Sequence, residues 1–246
     1  MRRFLPLLIT LFLTPPLFAW SPSSDQRIAK KAAQLAPPDL KLLLDKFSAE
    51  YMRGVQLAAR DEGSATHHYF MTSKQGALRK TLEDEVRAAV QMIRKREPMS
   101  LFIERLGRIA HLVADANNPF HVESTDPRLE ASHADFEGYL ERKLTTFPTV
   151  FYGLERNLNL PSYLDGMLRR SAHFYPLLSE EYFRFGERRT SAEFDDRSTA
   201  FGVASISYSR SVSDLVNLYF YIWKEAGGDV RSARVLQKGN LLLNGN

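Results

Sequence analysis

The chain has no cysteine in 246 residues. That absence excludes disulfide scaffolds, thiolate nucleophiles, iron–sulfur clusters, Cys-rich zinc modules and lipid anchoring through a cysteine. Any resident metal is left to nitrogen and oxygen ligands, so the six histidines become the most informative residues present. Alternation of apolar and polar residues over a useful length is also missing, which leaves β-sheet patterning without support. No basic run is longer than Arg94-Lys95-Arg96, a solvated helix face rather than a stripe that tracks phosphates. With 13 Gly, 12 Pro and 44% hydrophobic residues, the composition excludes collagen, coiled coil and wholesale disorder. A chain of this length can bury one large core.

An uninterrupted membrane span is lacking too. Met1-Arg2-Arg3 precedes an apolar stretch, Phe4 to Phe18, that Pro6, Pro15 and Pro16 interrupt before Ala19 and a Ser/Pro segment. A spanning helix needs ~20 apolar residues. The pattern instead predicts a secretory signal peptide over 1–19, cleaved after Ala19, and a protein that is periplasmic or secreted. Trp20 then becomes the first residue of the mature domain, 20–246. Loss of Arg2 and Arg3 lowers the formal charge from +4 to +2, which points to no polyanionic partner.

What is present is helical periodicity. Ser23 and Gln26 read as a capping box opening a helix through Ile28, Ala29, Ala32, Ala33 and Leu35, stopped by Pro37-Pro38. Leu40, Leu43, Leu44, Phe47, Tyr51 and Val55 predict one second helix starting at Asp39. Further helices are predicted over 81–97, from Ser100 to Asn117, and from a start marked by Ser132 and Asp135. Segments 163–174, 180–186 and 199–226 continue the pattern. The expectation is an all-α, single multi-helix domain, with no internal repeat and no linker.

Four histidines and their neighbouring carboxylates form an ordered series, His111-x3-Asp115-x5-His121 and then His133-x3-Glu137. Residues four apart on a helix share a face, with Cβ atoms ~5–6 Å apart, so each His/carboxylate pair can meet one ion. Pro119 ends the first helix and frees His121 for a different ion. Imidazole plus carboxylate suits zinc in a hydrolytic site. Either pair alone is common. His111 and Asp115 lie opposite the Phe102–Leu106–Ile109–Val113 stripe, and by themselves they also read as a solvent-facing pair. The ordered combination, with His67 and His68 upstream, points to metal. His173 stands apart from the series.

These residues resemble the zinc-dependent phospholipase C and single-strand-specific nuclease superfamily. Its members are exported, almost entirely helical and bind three zinc ions, using an N-terminal tryptophan such as Trp20. The resemblance in motifs runs from Trp20 to Glu137. It implies Asp61, His67 or His68, His111 and Asp115 at a first zinc. A second would be held by His121, His133 and Glu137, and a third by Trp20 with a bridging Asp115. The family's histidine shortly after the tryptophan is missing here. Asp25 stands about where it would be, and reads either as a substitute ligand or as an acid favoured in a first helical turn. Two to three zinc ions per chain follow from this comparison.

The resemblance implies phosphodiester hydrolysis by a hydroxide bridging two zinc ions ~3.5–4 Å apart, with Asp61 orienting or deprotonating the nucleophile. Glu137, where the nuclease branch has Asp, leans towards a phospholipase C-like enzyme acting on a phospholipid head group at a membrane surface. The alternatives are a single-strand nuclease or nucleotidase, which would stack nucleic acid bases on aromatics such as Tyr69, Phe70 or Phe120, and a non-catalytic exported metal-binding protein. No protein partner is signalled.

Overall fold

The computed structural model describes residues 22–60, 65–230 and 241–243. Trp20, Asp61 and residues 1–19, where a signal peptide is expected, lie outside these residues. Ten α-helices are described: α1 (Pro22–Gln34), α2 (Pro38–Lys46), α3 (Ser48–Arg60), α4 (Leu78–Arg94), α5 (Met99–Ala116), α6 (Pro119–Val122), α7 (His133–Lys143), α8 (Leu160–Ala172), α9 (Tyr175–Tyr182) and α10 (Thr199–Glu225). The expected all-α class is what is observed, with two additions from 3-10 turns and a small strand pair. Strand β1 (Thr149–Phe151) pairs antiparallel with β2 (Leu241–Leu243), Val150 opposite Leu242. Among the described residues no helix is long and apolar enough to cross a membrane.

Local chemistry sets several boundaries differently from the periodicity. The single helix expected from Asp39 is two helices, because Phe47 leaves helical geometry (φ −109°, ψ 36°) between α2 and α3. The apolar spacing survives the break, so periodicity alone did not register it. Ser23 is not a cap either: α1 already starts at Pro22, and the Ser23 and Ser24 hydroxyls donate to Glu141 on α7. Asp135 leaves its expected capping role to accept from the Tyr182 hydroxyl (2.9 Å) and the Ser191 backbone (2.8 Å). In place of a helix over 180–186, α9 closes at Tyr182 and a 3-10 turn covers Arg184–Gly186.

Helix α5 runs through the centre of the core, against α1, α3, α4 and α10. Its approach to α3 is backbone to backbone. A Cβ on Gly107 would lie 2.1 Å from the Tyr51 carbonyl oxygen, and one on Gly54 would lie 1.9 Å from that of Glu104. Facing glycines therefore fix the depth of α5. The extended stretch from Val150 to Glu155 is tied to α10 by side chains one turn apart: Ser209, Ser213 and Asn217 accept from the amides of Val150, Tyr152 and Glu155 at 3.2, 3.1 and 2.6 Å.

Candidate metal centre

The last two turns of α5, Ile109 to Ala116, are buried on every side. His111 and Asp115 thus have no solvent face, and the solvent-pair reading of these two residues fails because neighbouring helices cover the face opposite the apolar stripe. Beyond α5, the Asn118 side chain caps α6 by accepting from the Phe120 amide (3.1 Å), and Pro119 occupies the first turn without an amide to satisfy. This tight corner turns His121 back towards Asp115. The Asn118 amide also reaches Glu137 Oε1 at 3.5 Å, which links the corner to α7. The loop after the 3-10 turn Ala65–His67 is stitched to the same corner: the Tyr69 and Met71 amides donate to the carbonyls of His121 and Val122 (2.9 and 2.8 Å).

Two groups of donor atoms result, each with its members within 4.8 Å of one another. The first is His67, His111 and Asp115. His67 Nδ1 lies 2.8 Å from Asp115 Oδ2 and 3.1 Å from His111 Nε2, and His111 Nε2 lies 3.3 Å from Asp115 Oδ2. The second is His121, His133 and Glu137. His121 Nε2 lies 3.6 Å from Glu137 Oε1, and His133 Nε2 lies 2.6 Å from it, outside hydrogen-bonding alignment. Asp115 Oδ1, 3.7 Å from His121 Nδ1, stands between the groups. His68, one residue from His67, is outside both. It stacks on Phe70 with centroids 5.1 Å apart, because successive side chains on this stretch diverge.

The hydrogen-bond pattern fixes which ring nitrogens are available. His121 Nδ1 donates to the His67 carbonyl (2.7 Å), which can only accept, so Nε2 carries the lone pair. Asp25, also fully buried, sits behind His111 with Oδ2 at 2.6 Å from Nδ1. It is not among the clustered donor atoms. His133 is braced by Phe120, which stacks parallel to it at 5.2 Å.

Charge follows burial. Burial raises the Asp25 carboxyl to about 6 against the opposing pull of His111. Asp115 is equally buried, yet the charges of His111 and His121 and the bond to His67 outweigh burial and hold its carboxyl below the usual range. Burial pushes His133 down to about 4, against the opposing pull of the Asp115 charge. His68 is also lowered, first by burial and then by the charge of His67.

These residues fit a metal. Within the two groups, Asp115 Oδ1, His121 Nε2 and His133 Nε2 are buried with no hydrogen-bond partner among the described residues. An unsatisfied buried polar atom costs about 1–3 kcal/mol, and such a concentration calls for a cation. Two sets of two histidines and one carboxylate supply the nitrogen and oxygen donors that zinc takes in catalytic sites. A cavity of about 360 Å³ opens beside His133, walled by Phe70, Phe120, Tyr175, Glu123, Asp126 and Glu130, with no Lys or Arg among the described residues that line it. Glu123 is held by the Thr72 hydroxyl (2.7 Å) and the Ser124 amide (2.9 Å), while Asp126 pairs with Arg128.

Asn118 and Glu123 did not stand out from the sequence as site residues. An Asn directly before Pro at a helix start was the available signal for the first. Nothing local marked the second.

No family model matches the chain, and no curated protein does. Among solved structures, the alpha-toxin of Clostridium perfringens from avian strain SWCP is similar, with a TM-score of 0.57 at 12% identity over 84% of this chain. The alpha toxin from Clostridium absonum gives 0.62 at 13% identity over 85%. The chain spans 65% of the length of each toxin. The likeness is one of fold.

Proposed function

We propose that this chain is an exported zinc-dependent phosphodiesterase with phospholipase C-like action on a phospholipid. The observation that carries the reading is the pair of buried two-histidine, one-carboxylate groups with Asp115 between them. The fold shared with two clostridial alpha-toxins supports it. In this reading His67, His111 and Asp115, joined by Asp61, hold one zinc ion, and His121, His133 and Glu137 hold a second. Trp20 belongs to a third, after cleavage behind Ala19. Bound zinc would supply Lewis-acid activation of water and neutralise charge at the phosphodiester.

The chain's own groups do the positioning. The His67 carbonyl holds His121 as its Nδ1–H tautomer and so aims Nε2 at the site. Phe120 keeps His133 flat against it. Asn118 couples the α5–α6 corner to Glu137. The adjoining cavity would receive the alcohol side of the substrate. Its three carboxylates, with no Lys or Arg among the described lining residues, repel a polyanionic strand and suit a neutral or cationic alcohol, which favours the phospholipid over nucleic acid.

The test compares zinc-loaded protein on phosphatidylcholine vesicles and on single-stranded DNA. Release of diacylglycerol and phosphocholine, with little DNA cleavage, is expected. His121→Ala should lower turnover by at least 100-fold while leaving helical circular dichroism in place. Unchanged turnover by that variant overturns the assignment, as does faster hydrolysis of DNA than of lipid.

A further inference from the structure

The sequence leaves Asp25 with two readings, a substitute metal ligand or a first-turn helix acid. Asp25 does lie in the first turn of α1, yet its side chain is fully buried, so attraction to the helix dipole does not by itself account for where the carboxylate points. A ligand of either clustered group would join its donor atoms, whereas Asp25 lies on the far side of the His111 ring from His67 and Asp115. We propose that Asp25 is a positioning residue: its Oδ2 accepts Nδ1–H of His111 at 2.6 Å, which fixes that tautomer and points the Nε2 lone pair at His67 and Asp115.

The physical case rests on what an imidazole can do. A neutral ring has one N–H and one lone pair, and a carboxylate on Nδ1 assigns the lone pair to Nε2. It also makes the ring a stronger donor towards a cation. Backbone geometry permits no easy substitute, because His111 sits in the middle of a buried turn of α5 and the closest carboxylate of its own helix, Asp115, is on the Nε2 side. The orienting group therefore comes from α1, 86 residues away in sequence. The Ser23 and Ser24 bonds to Glu141 hold the start of that helix against α7, so Asp25 is delivered by a tethered element.

The inference rests on the proposed zinc site, and the experiment separates the two. Nitrogen-15 NMR of the full chain at pH 7.5, without metal, should show His111 as the Nδ1–H tautomer. An Nε2–H tautomer in the unsubstituted protein overturns the proposal without any variant. Asp25→Asn should broaden or lose that pure tautomer signal and weaken one zinc equivalent by 10–100-fold in chelator competition, with the other equivalent unchanged. In a His111→Ala background, Asp25→Asn should change zinc affinity no further. Loss of one zinc equivalent with an unchanged His111 signal would make Asp25 a ligand instead. Wild-type affinity and tautomer in Asp25→Asn would also overturn the positioning role. An unsubstituted chain that binds no zinc removes the proposed function, while the tautomer measurement still stands or falls alone.

Discussion

Buried Asp25 should make the metal-free protein respond to pH in a direction opposite to that of a salt-bridged carboxylate. Its folded pKa, about 6, lies above the 3.8 of an unperturbed aspartate. The folded state therefore binds the proton more tightly, and the contribution is complete below about pH 3.8 and lost as pH rises through 6. Relative to Asp25→Asn, the metal-free wild type should gain on the order of 1 kcal/mol when pH falls from 8 to 5. Urea denaturation at both pH values checks this, and a difference that grows with pH would contradict it. Asn118 is the other residue whose role is larger than its size. Asn118→Ala removes the α6 cap and a contact to Glu137. A stability loss of about 1 kcal/mol is expected, together with weaker zinc binding at the His121 group. Zinc binding identical to wild type would detach the corner from the site.

At the level of elements, α5 brings His111 and Asp115 into the core, and its seat against α3 is set by glycine. Gly107→Ala forces a Cβ into the Tyr51 carbonyl, which is backbone and cannot rotate away. A loss of about 3 kcal/mol is expected, with a lowered zinc affinity because α5 must move. Gly202 in α10 is the control, since a Cβ there meets nothing within 4 Å. Gly202→Ala should stabilise by roughly 0.5–1 kcal/mol through the unfolded chain. Thermal melts of the two variants decide the point, and similar behaviour in both would refute close helix approach as the cause. The helices themselves were legible from the sequence, because three-and-four spacing is a local property. The break at Phe47 was not, since α2 and α3 keep their apolar spacing across it and only packing decides that the axis changes. The strand pair was equally hidden: three residues are too few to display alternation, and β1 is held by α10 side chains from far along the chain.

For the molecule as a whole, stability should follow metal. A site that forms only in the folded chain adds about 2.7 kcal/mol when free zinc is 100 times its dissociation constant. For a chain of this size that corresponds to roughly 5–10 °C in Tm per site. Calorimetry with zinc, and then with a chelator in excess, should show the rise and its reversal. A Tm indifferent to both would count against the two groups as metal sites. The sequence by itself determined the donor chemistry: without cysteine, and with His111, Asp115, His121, His133 and Glu137 at helical spacings, composition and the pitch of a helix restrict any metal ligation to nitrogen and oxygen. Only tertiary structure decided that His67 and not His68 joins them, that Asp25 stands behind His111, and that the α5 pair is buried on every side. The reason is separation along the chain. Those outcomes depend on contacts between residues dozens of positions apart, and no local pattern encodes which faces of separate helices will meet.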